Sequence, residues 1–195
     1  KDVRVRQAIS YGFNYTKIVN DIELGMASQA RGPLPKGLYG YDPKVFMYSK
    51  NHTRAVELLE AAGYTLGKAG PGLRLELNLW YFTGNEEQRM ISEFVQSELA
   101  PIGVKVNIVS KLGSAIMDTV NDREHPERGP DIVYLYWYPD YNDPDTYLTG
   151  MFKSGEYWNM GYYNDTRVDS MLIEAANEAN ETRRLGIYSQ VQRIL

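Results

Sequence analysis

"LRLELNLW", Leu73 to Trp80, sets leucines at every second position up to Leu79. Leu73, Leu75, Leu77 and Leu79 share one face, the two-residue period of a strand covered on one side only. Just beyond, Asn85 with Gln88 three residues later resembles a capping box. The helix it opens turns Ile91, Phe94, Val95, Leu99 and Ile102 inward, and Gly103 stops it. "VKVNIV", Val104 to Val109, then alternates as a second strand. A short helical stretch, Ala115 to Val120, and the charged loop "NDREHPERGP" lead to "DIVYLYW", Asp131 to Trp137. That third run is apolar on both faces, as a central strand should be. Strand, helix, strand, helix, strand predicts an α/β layer whose connections are right-handed crossovers.

Helices are expected on either side of this unit. In "DVRVRQAISYGF", Val5, Ala8, Ile9, Gly12 and Phe13 lie on one face behind an Asp2 cap. "YTKIVNDIELG" continues helically to Gly25, a suitable residue after a C-cap, and "ARGPLPKGLYGYDPK" reads as a loop. "NHTRAVELLEAAGY" turns Ala55, Leu58, Leu59 and Ala62 inward, and "GKAGPG" is a turn. Towards the end, Val168, Met171, Leu172 and Ala175 mark one helix, and Leu185, Tyr188, Val191 and Leu195 another.

A chain of 195 residues suits one domain with a real core, and its 43% hydrophobic and 24% charged residues are ordinary for a globular protein. A net charge of −4 argues against a nucleic-acid surface. The absence of cysteine excludes disulfides, thiolate metal sites and a cysteine nucleophile. No apolar run approaches the roughly 20 residues that span a bilayer. The chain opens at Lys1-Asp2 without methionine and closes in mid-pattern at "YSQVQRIL", so residues 1–195 are expected to be one lobe excised from a larger protein.

Ligands gather outside the carboxyl ends of strands in an open α/β sheet, which directs attention to "YLYWYPDYNDPDTYL", Tyr134 to Leu148. It holds five tyrosines, one tryptophan, three aspartates and two prolines in fifteen positions. Asp143 before Pro144 reads as an N-cap with proline at the first helical position and Asp145 in the first turn. Asp140, between Pro139 and Tyr141, has no such local duty. The local sequence leaves it open between a carboxylate meeting a cationic or hydroxyl-bearing ligand and a solvated loop carboxylate.

In order along the chain, "DVRVRQAISYGFNYTKIV", "GPLPKGLYGYD", "AVELLEAAGY", "SELAPIGVKVNIV", "WYPDYNDPDTYL" and "MGYYNDTRVDSMLIEA" resemble extracellular solute-binding proteins of family 5, the peptide- and nickel-binding receptors of ABC importers. The resemblance implies the second lobe of a two-lobed clamshell like that of periplasmic binding proteins, with a mixed or parallel sheet flanked by helices. It implies that Trp137 lines the cleft, that Asp140 receives a peptide's α-ammonium, and that Tyr141 and Asn142 are their neighbours there. Arg31 to Pro35 would lie near the hinge. The implied partners are a peptide or other small solute, the permease subunits of an importer and the missing first lobe. The implied location is extracellular or periplasmic, tethered to a membrane by an anchor outside this segment. One departure is Asn14-Tyr15, where the family usually has an aspartate and a basic residue.

Other chemistries find less support. A hydrolytic triad needs a histidine base, and both His52 and His125 are expected at the surface. No HExxH or EF-hand spacing marks a metal site, no phosphate loop is present, and no cofactor is expected. Asp140 and Asp145 could be imagined as a glycosidase pair, but the helix start accounts better for Asp145. The 16 tyrosines and 3 tryptophans keep an oligosaccharide receptor of the same architecture as the alternative, since such rings also stack on sugars. Asn14, Asn51, Asn164 and Asn180 fit the glycosylation acceptor pattern, and helix capping explains three of them better.

Overall fold

The computed structural model describes residues 2–195; Lys1, where the expected lobe begins, lies outside them. The helices are α1 (Val3–Tyr11), α2 (Tyr15–Lys17), α3 (His52–Ala61), α4 (Glu86–Leu99), α5 (Gly113–Val120), α6 (Asp145–Phe152), α7 (Thr166–Asn177) and α8 (Glu181–Ile194), and the strands are β1 (Leu75–Phe82), β2 (Val104–Lys111) and β3 (Ile132–Val133). The chain packs as two units, one taking in the chain to Gln29 with Tyr48–Tyr136, the other Ala30–Met47 with Trp137–Leu195. The sequence suggests one core, whereas the packing has two.

The first unit is the α/β layer. β1 pairs in parallel with β2 from Leu75 opposite Val104 to Phe82 opposite Lys111. Leu77 and Leu79 are buried with Val104 and Val106 under Ala8 of α1, Ala55, Leu58 and Leu59 of α3, and Ile91, Val95 and Leu99 of α4. The opposite face stays wet: Lys105 pairs with Glu76 at 2.8 Å, and Asn107 reaches Glu76 at 2.8 Å and Asn78 at 3.3 Å. The leucine alternation thus reports one covered face, as expected.

β3 is the correction. The sheet order is β2-β1-β3, so β1 is central and β3 is an edge strand. Its ladder covers only Leu79 with Ile132 and Trp80 with Val133, and one further bond runs from the Tyr134 N–H to the Trp80 carbonyl at 3.0 Å. The run is apolar on both faces for another reason: Tyr134 packs on the first core and Trp137 on the second.

Caps define the helix ends. Asn14, Asn51 and Asn180 accept from the N–H groups of Lys17, Arg54 and Arg183 at 3.3, 2.9 and 3.0 Å, so three of the four glycosylation-like asparagines are N-caps. Only half of the expected capping box forms. Asn85 accepts from the Gln88 N–H at 2.9 Å, but the Gln88 side chain instead accepts from the Phe82 N–H at 2.9 Å. Gly103 ends the stretch at φ 77°, a left-handed turn that favours glycine. His52 departs from its expected surface role. Its Nε2 lies 2.7 Å from the Gly12 carbonyl, half-buried, and ties the start of α3 to the end of α1.

The second unit closes an irregular arm, Ala30–Met47, onto α7 and α8. Leu34 is buried with Leu148, Val168, Leu172, Tyr188 and Val191. Leu195, expected inward, is 36% exposed, one residue past the end of α8. The arm is fastened by Asp42, which is 8% exposed. Its carboxylate accepts from the Lys44 N–H at 2.8 Å, the Ser189 hydroxyl at 2.7 Å and Arg193 Nε at 2.8 Å. Buried Gln192 donates to the Gly40 carbonyl at 2.9 Å and accepts from the Asp42 N–H at 3.2 Å.

The Lys44 N–H, then the Ser189 hydroxyl and Arg193, hold the Asp42 carboxyl down at about 2, below its ordinary 3.8. A carboxyl lowered on folding stabilises the fold above its unfolded value and loses that contribution as pH falls through the folded one. From that shift the contribution is on the order of 2 kcal/mol. Asp42→Asn should therefore lower the urea midpoint at pH 7, and the difference from the unaltered chain should shrink between pH 4 and pH 2. Chemical denaturation across that range measures both.

Candidate functional site

The aromatic stretch beyond β3 crosses from one unit to the other between Tyr136 and Trp137. On the first unit's side, the Tyr136 hydroxyl accepts from Asn85 Nδ2 and donates to Glu87, both at 3.1 Å, and its ring meets Tyr134 edge-on at 5.7 Å. Burial, then the nearby Glu87 charge, pushes the Tyr134 phenol well above its ordinary range. Of these groups only Asn85 stood out from sequence, and as a helix cap rather than as a partner of Tyr136.

On the second unit's side, each expected residue has a distinct setting. Trp137 is half-buried, and its indole N–H donates to the Thr146 carbonyl at 3.2 Å. Its carbonyl accepts from the Tyr147 hydroxyl at 3.4 Å, and α6 passes close beneath it: a Cβ on Gly150 would lie 3.6 Å from Trp137 Cζ2. The ring is therefore fixed before any ligand arrives.

Asp140 is exposed, and its N–H donates to the Thr146 hydroxyl at 3.2 Å. Among the described residues its carboxylate accepts no hydrogen bond, so both oxygens face water on an anchored turn. Tyr141 is 53% exposed, and its hydroxyl donates to Asp145 Oδ2 at 2.9 Å. Partial burial and then that bond raise its phenol pKa. The exposed Asn142 has structural work: its Oδ1 accepts from the Tyr39 N–H at 2.9 Å and holds the arm.

The other two aspartates are occupied. Asp143 is not the expected N-cap: α6 starts at Asp145 and the N-cap position falls on Pro144. Asp143 instead accepts from the Asp145 N–H at 3.0 Å in the preceding turn and pairs with Arg184. Asp145 accepts from Tyr141, Thr149 and Tyr188 hydroxyls. Both its oxygens are engaged, which removes one member of the imagined glycosidase pair. Among the described residues no group of three or more His, Asp or Glu side chains is placed to hold a metal ion. Arg31 donates to the Val45 carbonyl at 3.4 Å and Leu34 is core, so the segment Arg31 to Pro35 anchors the arm.

Sequence reading missed the partner of Trp137. Trp158 packs edge-on against it with ring centroids 5.2 Å apart, and Tyr157 packs on Trp158 at 5.0 Å. The aromatic density of "EYWNMGYY" was the available signal.

Comparison with known proteins places this geometry in a family. The family described as bacterial extracellular solute-binding proteins, family 5 Middle, matches residues 1–159. The chain is 30% identical over 201 residues to di/tripeptide-binding protein 2 of Pseudomonas aeruginosa, covering 99% of this chain and 35% of that protein. It is 27% identical over 201 residues to heme-binding protein A of Haemophilus influenzae, covering 100% of this chain and 34% of that protein. It thus spans about a third of the length of the curated relatives it matches. Among solved structures, the murein tripeptide binding protein MppA of Escherichia coli superposes with a TM-score of 0.85 at 26% identity over 100% of this chain and 37% of that one. The expected fold class, a parallel α/β layer flanked by helices as in periplasmic binding proteins, is the one observed.

Since a lost hydrogen bond costs about 1 kcal/mol and Asp143 both accepts from the Asp145 N–H and pairs with Arg184, Asp143→Ala should lower the melting temperature clearly. Asp140→Asn removes no hydrogen bond to the carboxylate and should leave melting unchanged. Calorimetry on the two variants side by side tests the assignment.

Proposed function

The chain belongs to the bacterial extracellular solute-binding proteins of family 5, and from that premise we propose that it is one lobe of a receptor that captures di- or oligopeptides. The peptide's α-ammonium pairs with Asp140, and Trp137 and Tyr141 wall the same slot. The whole receptor closes a second lobe over the ligand and delivers it, outside the cytoplasm, to the permease of an ABC importer. Among the described residues no helix is long and apolar enough to cross a membrane, so tethering requires an anchor elsewhere in the protein. The role is binding without chemical turnover.

One observation carries this reading: Asp140 offers an unbonded carboxylate on a turn fixed through Thr146, the same residue whose carbonyl holds the Trp137 indole. A carboxylate on an anchored turn meets an ammonium without reorganising the backbone. Its attraction strengthens once a closing lobe excludes water. The names of two relatives, a di/tripeptide-binding protein and a murein tripeptide binding protein, support a peptide ligand.

Isothermal titration of the full-length protein with tripeptides tests the proposal. Asp140→Asn should weaken binding by about 2–5 kcal/mol by leaving the ligand's ammonium unpaired in a closed cleft. Unchanged affinity would reject the assignment of Asp140. A thermal-shift screen of peptides against oligosaccharides tests the ligand class, since a ligand at 100 times its Kd stabilises by roughly 2.7 kcal/mol. The isolated 195-residue chain should bind the same peptides far more weakly, because half the contacts are missing. Equal affinity would overturn the two-lobed reading.

A further inference from the structure

We propose that Tyr157 and Trp158 extend the ligand slot as a selectivity wall, taking an aromatic or large apolar side chain of the bound peptide. This inference rests on the peptide-receptor reading and adds a specificity site to it, built by a loop ten residues and more beyond the aspartate-bearing turn.

Three observations support it. First, the two rings are exposed where rings of their size are normally covered: Trp158 is 44% exposed and Tyr157 is 57% exposed. Second, they continue a surface already assigned to the ligand. Tyr157, Trp158, Trp137 and Tyr147 form an unbroken edge-to-face series with centroid separations of 5.0, 5.2 and 6.5 Å. Trp137 and Asp140 are both held by Thr146, one through its carbonyl and the other through its hydroxyl, so in the proposed slot a peptide paired with Asp140 can reach the ring series that Trp137 begins.

Third, the loop is built to present these rings. The next residue, Asn159, is 1% exposed and uses its whole amide. Its Nδ2 donates to the Lys153 and Tyr163 carbonyls at 3.1 and 2.7 Å, and its Oδ1 accepts from the Tyr163 N–H at 2.9 Å. The Asn159 N–H donates to the Glu156 carbonyl at 3.1 Å and the Met160 N–H to the Trp158 carbonyl at 2.8 Å. A loop locked on both sides of an outward-facing tryptophan loses no conformational entropy when that ring meets a ligand. Preorganised, half-exposed tryptophan and tyrosine are what a recognition surface requires. A flat aromatic face lacking a charge of its own discriminates by ring stacking and apolar area, and so ranks ligands by side chain.

The experiment uses the full-length receptor with four tripeptides, Ala-Ala-Ala and the three with a single phenylalanine. In the unaltered protein at least one phenylalanine peptide should bind about tenfold more tightly than Ala-Ala-Ala, equivalent to about 1.4 kcal/mol. Trp158→Ala should abolish that preference while leaving Ala-Ala-Ala affinity within about twofold, and Trp158→Phe should restore most of it. Asp140→Asn should weaken all four peptides together. If Trp158→Ala leaves the preference intact, or weakens all four equally, the wall assignment is wrong while the peptide reading stands. If Trp158→Ala lowers the melting temperature without altering peptide ranking, the ring is covered by another part of the polypeptide and the assignment is again wrong. If the unaltered receptor binds none of the four, the inference falls together with the reading it rests on.

Discussion

Eight consecutive residue pairs hold β1 and β2 in parallel, and parallel strands can be joined only by a crossover lying over one face of the sheet. α4 is that crossover. Once it covers the face carrying Leu77 and Leu79, α1 and α3 complete the same side, and the other face is left to Glu76, Asn78, Lys105 and Asn107. Parallel pairing also puts the carboxyl ends of β1 and β3 on one edge. The chain leaves β3 there, so the aromatic stretch begins at the carboxyl edge of the sheet.

That stretch reconciles two demands. Its rings are shared between two cores, Tyr134 to one and Trp137 to the other. Its aspartates differ in what surrounds them. Asp143 and Asp145 are consumed by a helix start, by Arg184 and by three hydroxyls. Asp140 is anchored through its N–H alone, and its carboxylate accepts no hydrogen bond among the described residues. Neighbouring residues of one chemical type are separated into structural and available groups by backbone position and nothing else.

How much of this could be read from the residues depends on how far each interaction reaches. Local devices were legible. The leucine alternation of β1 is a repeat visible within eight residues, and the caps at Asn14, Asn51 and Asn180 find their partners three positions on. Asp140 stood out because no local cap could explain it. Distant devices were not legible. The His52 bond to Gly12 spans 40 residues, and the Asn142 bond to Tyr39 spans 103. β3 misled because a run apolar on both faces looks the same whether it lies inside a sheet or passes between two cores. The Gln88 side chain fitted a capping box by spacing, yet it turned to a strand N–H six residues back.

The fastening of the arm has a consequence for the order of events as the chain is made. Asp42 and Gly40 find their partners, Arg193 and Gln192, about 150 residues later. Closing so long a loop costs little more free energy than closing a shorter one, because the entropy grows only logarithmically with length. The delay is vectorial. A growing polypeptide can complete the first α/β layer once Tyr136 has emerged, but Ala30–Met47 must wait as an unpaired excursion until α8 is synthesised. α8 therefore latches an arm made about 150 residues before it, and the second unit closes only when that helix forms.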